Sequence, residues 1–162
     1  MAGRTGVRAT LATFLSNPQI TTLNQVFTSF PKRINFQVNS VPGQLSRSAL
    51  VVFIASEREN RLAIGGETSG WKRVDYSIIL QVFQHSLQRN AEDVMTDFDT
   101  LIDAIKTRLR SDHNFGDPTS TLVWQGAEPV IDATYGEPST VEVGATETYA
   151  ELQFDVTEMI QA

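Results

Sequence analysis

Cysteine is missing from the 162 residues, which removes disulfides, thiolate metal sites and a cysteine nucleophile together. Long apolar runs are missing too. Nowhere do eighteen apolar residues stand together, and residues 1–12 lack an apolar stretch of signal-peptide length, so neither a membrane span nor a cleaved leader is expected. The third shortage is local. All 13 Lys and Arg fall within residues 1–110 beside nine acids (13 − 9 = +4), whereas residues 111–162 hold the other ten acids and no base (−10). Charge separated along a chain in this way concerns partners more than fold. It reads as a solvated acidic surface, as one copy's basic face docking on the next copy's acidic face, or as an acidic wall that repels a polyanion.

What is present is ordinary: 41% apolar and 20% charged residues, in a length suited to one domain with its own core. The chain is organised around Trp71–Arg110. From Trp71 to Gln84 it alternates, with Val74, Tyr76, Ile78, Leu80 and Val82 on one face and Arg73, Asp75, Ser77 and Gln81 on the other. That is the period of a long half-buried strand. After a turn over His85–Arg89, Asn90 can cap a helix. Glu92 and Asp93 suit its N-terminal end, and Lys106, Arg108 and Arg110 suit its C-terminal end. Val94, Phe98, Leu101, Ile102, Ile105 and Leu109 form its single apolar stripe. A one-sided strand and a one-sided helix bury those faces most economically against each other.

Around this unit, Val7, Leu11, Phe14 and Leu15 predict an amphipathic helix stopped by Asn17 and Pro18. A second short helix is expected from Thr21 or Thr22 through Leu23, Val26, Phe27 and Phe30. A short strand follows at Ile34, Phe36 and Val38, then a loop over Asn39–Arg47. Ser48–Ser56, with Leu50–Ile54 uninterrupted, predicts a central strand covered on both faces. Arg61–Ile64 can pair back as a short strand or extend into the next turn, and Gly65–Gly70 reads as a hairpin-type connection. Beyond the long helix, Ser111–Ser120 reads as a polar loop, and Leu122–Trp124, Pro129–Tyr135 and Val141–Val143 as short extended pieces. A final alternating strand carries Ala150, Leu152, Phe154, Val156 and Ile160 on one side. The expectation is a single α+β domain over residues 1–162, with a mainly antiparallel sheet, two long alternating strands and helices packed on one face. Residues 18–47 and 111–146 are its loop-rich insertions.

Chemical motifs fail on inspection. Gly65–Gly70 followed by Trp71 and Lys72 resembles a phosphate loop, but Trp71 intervenes, Val74 stands where a hydroxyl belongs, and a strand follows instead of a helix. Asp112, His113 and Asp117 imitate a metal cluster but sit in a Gly/Pro-containing loop. His85 has no evident partner for general-base work, and no G-x-S-x-G elbow exists. The carboxylate pairs Asp93/Asp97 and Asp99/Asp103 read as a solvated helix face or as a contact for a basic partner. Scattered bases and a pI near 4.8 argue against nucleic-acid recognition. Trp71 and Trp124 read as core or interface anchors. No catalytic, cofactor or metal residues are expected, and no enzymatic activity.

The order of elements is then the best clue. An N-terminal amphipathic helix precedes the apolar strand Ala49–Ile54 (ALVVFI). The alternating strand Trp71–Phe83 (WKRVDYSIILQVF) leads into the helix Ala91–Arg110 (AEDVMTDFDTLIDAIKTRLR), and Thr148–Ile160 (TYAELQFDVTEMI) closes the chain. This layout is similar to the tail terminator, or tail-to-head joining, family of long-tailed bacteriophages, departing from it at Pro18–Gln44 and Ser111–Ala145. The resemblance implies a structural virion protein of the tail–neck junction, assembled in the host cytoplasm. It implies a homo-oligomeric, hexameric ring that caps the tail tube, meets a head-side neck protein, and lets DNA pass without specific binding. Another neck component, such as a head-closure or head–tail adaptor protein, is the nearest alternative. A small-molecule-binding α+β domain using His85 and the Gly65–Gly70 loop is a more distant one. Ring contacts join unlike surfaces. The expected contact residues are therefore Ile79 and Phe83 on the polar face of the long strand, the bases Arg58, Arg61 and Arg73, and the acids Asp97, Asp103, Glu151 and Asp155.

Overall fold

The computed structural model describes residues 3–62, 70–119, 121–142 and 144–161. The element order is α1 (Gly3–Ser16), β1 (Leu23–Phe27), β2 (Ser46–Arg61), β3 (Trp71–Ser86), α2 (Ala91–Arg110), β4 (Leu122–Trp124), β5 (Asp132–Tyr135), β6 (Ser139–Glu142) and β7 (Ala145–Gln161). The fold is α+β, with a mostly antiparallel seven-stranded sheet ordered β1-β2-β3-β7-β4. β5 and β6 join β4 along the outer edge of β7.

The alternation of β3 translates directly into burial. Val74, Tyr76, Ile78, Leu80 and Val82 are all buried. Antiparallel pairing lines them up with Leu50 and Val52 on β2 and with Ala150, Leu152, Phe154 and Val156 on β7. Val7, Leu11, Phe14 and Leu15 of α1 and the apolar stripe of α2 close over this same face, and nearly all belong to one core cluster. The cap on α2 is the expected one: Asn90 Oδ1 accepts from the Glu92 backbone N–H at 3.2 Å. At the other end of α2, buried Trp124 donates its indole N–H to the Leu109 carbonyl at 3.2 Å, satisfying one of the helix's terminal acceptors.

Two expectations in the first insertion are overturned. The predicted helix through Leu23, Val26, Phe27 and Phe30 is the short strand β1 with an irregular stretch behind it, running parallel to β2. The apolar spacing suits a helix, but Leu23–Phe27 completes its backbone hydrogen bonds on the free edge of β2. The strand predicted at Ile34, Phe36 and Val38 is a series of turns. The parallel pairing explains why. Parallel neighbours need a crossover, and the helix-side face is already filled, so residues 28–45 return over the opposite face. Asn24 ties that return down from inside: its amide donates to the Asn39 carbonyl (3.1 Å) and to Gln44 Oε1 (3.0 Å), and its Oδ1 accepts from Ser48 N–H (2.9 Å).

β2 runs further than expected, to Arg61, and carries a bulge at Ala55 where the register jumps from Ile54↔Ile78 to Ser56↔Ser77. One extra residue exchanges the two faces. Glu57 moves to the helix side, where Arg4 of α1 meets it at 2.6 Å, and Arg58 moves to the other side, opposite Asp75. β3 likewise continues two residues into the expected turn, to Ser86. Residues 63–69 lie outside the described residues. The end of the expected Arg61–Ile64 piece and all of the Gly65–Gly70 connection but Gly70 fall there.

The loop after α2 is polar except at Phe115, which is buried. Its ring centroid lies 5.8 Å from Phe14, 5.5 Å from Trp124 and 6.5 Å from Phe154. It plugs the junction of α1, β4 and β7. Phe115→Ala is expected to lower the unfolding free energy by about 3–5 kcal/mol, measured by denaturant titration with an unchanged slope. A loss below about 1 kcal/mol would mean that the plug is not part of the cooperative core.

Candidate assembly surfaces

No helix among the described residues covers the second face of the sheet. The strand registers build it as rows across β2, β3 and β7: Arg47–His85–Glu147, Ala49–Phe83–Tyr149, Val51–Gln81–Glu151, Phe53–Ile79–Gln153, Ser56–Ser77–Asp155 and Arg58–Asp75–Thr157. At the end near His85 the crossover lies on it. Phe36 stacks on the His85 ring at 5.3 Å, Phe30 meets Phe53 at 5.5 Å, and Ala49 and Val51 are buried although they face away from the main core. Toward Arg58 and Asp155 the face is open.

The expected contact residues divide into groups. Ile79, Phe83, Arg73, Arg58, Glu151 and Asp155 share this one face, Arg58 by virtue of the bulge. Phe83 and Glu151 already have partners within the chain. Phe83 packs on Tyr149 at 5.0 Å, and Glu151 accepts from the Tyr149 hydroxyl and from Gln81 at 3.4 Å. Burial, then the hydrogen bond to Glu151, pushes the Tyr149 phenol well above its usual range. Ile79 is half-buried beside Phe53, while Arg58 and Asp155 are exposed. Arg61, opposite Lys72, lies on the helix side at the sheet's far end.

The helix acids differ from one another. Asp103 is exposed. Asp97 turns inward and accepts from Ser46 Oγ at 2.6 Å and from Gln88 Nε2 at 3.3 Å, while Ser46 also meets Ser86 Oγ at 2.9 Å. Asp97 therefore fastens the start of α2 to the ends of β2 and β3.

Glu158 is not among the expected residues. It stands at core parity on β7, between Val156 and Ile160, and is fully buried. The Tyr76 hydroxyl donates to its Oε2 at 3.2 Å; burial first, then the Glu158 charge, drives the Tyr76 phenol upward. Its signal in the sequence is one acid breaking an otherwise apolar alternation. Asp112 and Asp117 make local turn bonds, Asp112 to the Asn114 and Gly116 N–H groups and Asp117 to Thr119. No metal-holding group of His, Asp or Glu occurs among the described residues. His85 does line a cleft, but Gly70 is at the opposite end of β3, roughly 50 Å of strand away, so the two do not share a pocket.

The charge split becomes spatial in the sheet. Residues 1–56 contain five bases and no acid; they supply α1, β1, the crossover and the first half of β2. Residues 111–162 contain no base; they supply β7 and the three short strands on its outer edge. The β1 part of one edge and its crossover are thus acid-free, with Lys32 and Arg33 exposed as are Phe30, Val38 and Val41, while exposed Glu57 and Glu59 stand on β2 beyond β1. The other edge carries no Lys or Arg in its own sequence, although Lys106 of α2 reaches the Tyr135 hydroxyl at 3.5 Å, and Glu128, Asp132 and Glu137 are exposed there with Val130 and Val141. No family model and no curated protein matches this chain.

Burial alone would raise the Asp75 carboxyl, but hydrogen bonds from Arg73 (2.8 Å) and Thr157 (2.6 Å) and the charges of Arg73 and Arg58 outweigh it and hold it below the usual range. A depressed folded-state pKa stabilises the fold above the unfolded value, near pH 4, and that contribution is lost as pH falls through the lower folded value. Asp75→Asn should therefore flatten the acid limb of stability below about pH 4, followed by thermal melts across the acid range; an unchanged limb would rule out this linkage. Asp97→Ala should cost about 1–2 kcal/mol and Asp103→Ala less than about 0.5 kcal/mol, compared by denaturant titration.

Proposed function

We propose that this chain is a structural subunit of a homo-oligomeric ring, and specifically a tail terminator that caps a phage tail tube and joins it to the head-side neck. One observation carries the reading: β1 and its crossover, acid-free with Lys32 and Arg33 exposed, stand at one edge of the sheet, and the short strands outside β7, with Glu128, Asp132 and Glu137 exposed and no Lys or Arg in their sequence, stand at the other. Such edges do not match themselves across a two-fold axis, since like charges would meet. They match each other head to tail, and a head-to-tail contact closes into a ring when its rotation allows. The order of helix, apolar strand, long strand–helix unit and final long strand supports the terminator assignment within that class. An acidic inner surface would let DNA pass, because phosphate binding depends on Lys and Arg. No reaction is assigned to the protein.

The test is to mix the purified chain with tail-tube protein and examine it by negative-stain electron microscopy. Rings seated on tube ends, with tube growth stopped, are expected; rings alone should weaken as salt rises past the range where exposed charges are screened. A chain that stays monomeric at micromolar concentration, with tubes that elongate unhindered, would sink the proposal.

A further inference from the structure

The helix side of the sheet turns polar at the end where α2 begins. Counted inward from that end, the rows across β2, β3 and β7 are Ser46–Ser86–Thr146, Ser48–Gln84–Thr148 and only then Leu50–Val82–Ala150. Gln84 is 2% exposed and Thr148 3%, so this second row belongs to the interior. Much of the polar layer is satisfied within the chain. Ser46 bonds both Ser86 and Asp97, and the Ser48 hydroxyl donates to the Thr22 carbonyl. Gln84 and Thr148 are different. Gln84 Nε2, Gln84 Oε1 and Thr148 Oγ1 are buried and have no hydrogen-bond partner among the described residues. The buried side chains of α2, which closes over this face, run from Val94 to Leu109 and are all apolar, so the helix offers no partner from above. Unbonded amide and hydroxyl groups are costly to bury, and buried polar groups in folded proteins are paired, with ordered water where the chain supplies no partner.

We infer that Gln84 and Thr148 form an internal water-binding site between the sheet and α2. The chemistry of the three orphaned atoms selects the ligand. Nε2 needs an acceptor, Oε1 needs a donor, and the Thr148 hydroxyl can take either role. Exchanging the two ends of the amide leaves this mixed demand unchanged. A cation would answer Oε1 and oppose Nε2; an anion would do the reverse. Only a neutral molecule that both donates and accepts answers all three, and water does so in the smallest volume. The geometry suits a bridge, because Gln84 and Thr148 are paired neighbours on β3 and β7, whose Cβ atoms in such a pair stand about 5 Å apart. One molecule can therefore touch both side chains. The site lies one row in from the Ser46–Ser86 pair that Asp97 grips, so α2 meets the sheet at its start through hydrogen bonds and further on through its apolar stripe.

A crystal structure of the full chain that orders solvent tests this, together with oxygen-17 magnetic relaxation dispersion in solution on wild type, Gln84→Met and Thr148→Val. The crystal should show a solvent peak about 2.6–3.2 Å from both the Gln84 amide and Thr148 Oγ1. The dispersion amplitude, which counts long-lived internal water, should fall in Gln84→Met. Thr148→Val keeps the shape and removes only the hydroxyl. It should lower the melting temperature by roughly 2–4 °C, because the bridging water loses a partner. In a dry site the same change deletes an unpaired buried hydroxyl and raises the melting temperature. The crystal and Thr148→Val carry the test should Gln84→Met fail to fold. A Gln84 amide bonded directly to Thr148 or Ser48 with no solvent peak overturns the inference. So does a melting temperature that rises in Thr148→Val, and so does density for a molecule larger than water at this position.

Discussion

The strand pairing of β3 is the constraint on which everything else depends. All sixteen of its residues pair with β7, and nearly all pair with β2 on the other side, so the two-residue period of one strand sorts the side chains of three. Burying Leu80 between Val52 and Leu152 obliges Ile79 to stand between Phe53 and Gln153, and a slip of one residue would put the core in water. The helix face and the open face are therefore one decision. Only at Ala55 is the sorting relaxed, and there a single inserted residue hands Glu57 to α1 and Arg58 to Asp75.

With one face filled by both helices, the parallel β1 forces its return path onto the other, and this gives the molecule its polarity. The acid-free first third of the chain ends at one edge with a crossover laid over the sheet. The base-free last third ends at the opposite edge, as three short strands along β7. Short pieces there, and on the other side a short β1 followed by the bulge at Ala55 and the charged end Glu57–Arg61 of β2, work against indiscriminate strand pairing at either edge. Edge contact is left to side chains, where charge can select the partner.

Long periodic segments are legible in the sequence alone. β3, α2 and β7 stand out because ten or more residues repeat one period, and the six stripe residues of α2 are the six that are buried. The failures come from short segments whose backbone partners are remote. Leu23, Val26 and Phe27 fit a helical spacing, yet the edge of β2, some twenty residues on, decides their state. Phe115 is invisible as a core residue because its neighbours are polar loop positions. Glu158 is readable as a break in the alternation. Of the candidate contacts, the shared face of Ile79, Arg73, Glu151 and Asp155 follows from parity, but the placement of Arg58 needs a bulge that no composition reveals. The meeting of Arg33, Phe36 and His85 requires the crossover to pass over β3, and that path is not encoded locally.

The crossover has a thermodynamic consequence. Residues 28–45 are at once the covering of the second face and the only covalent route between β1 and β2, and Asn24 fastens the two roles together through Asn39, Gln44 and Ser48. Anything that grips the crossover from outside therefore also holds β1 in the sheet. Occupancy and local order share one free energy: the edge that frays most readily in a lone subunit is the edge that gains protection when occupied. Amide exchange in Leu23–Phe27, which Asn24 and Gln25 tie to the crossover, would thus report the state of the crossover's outer surface.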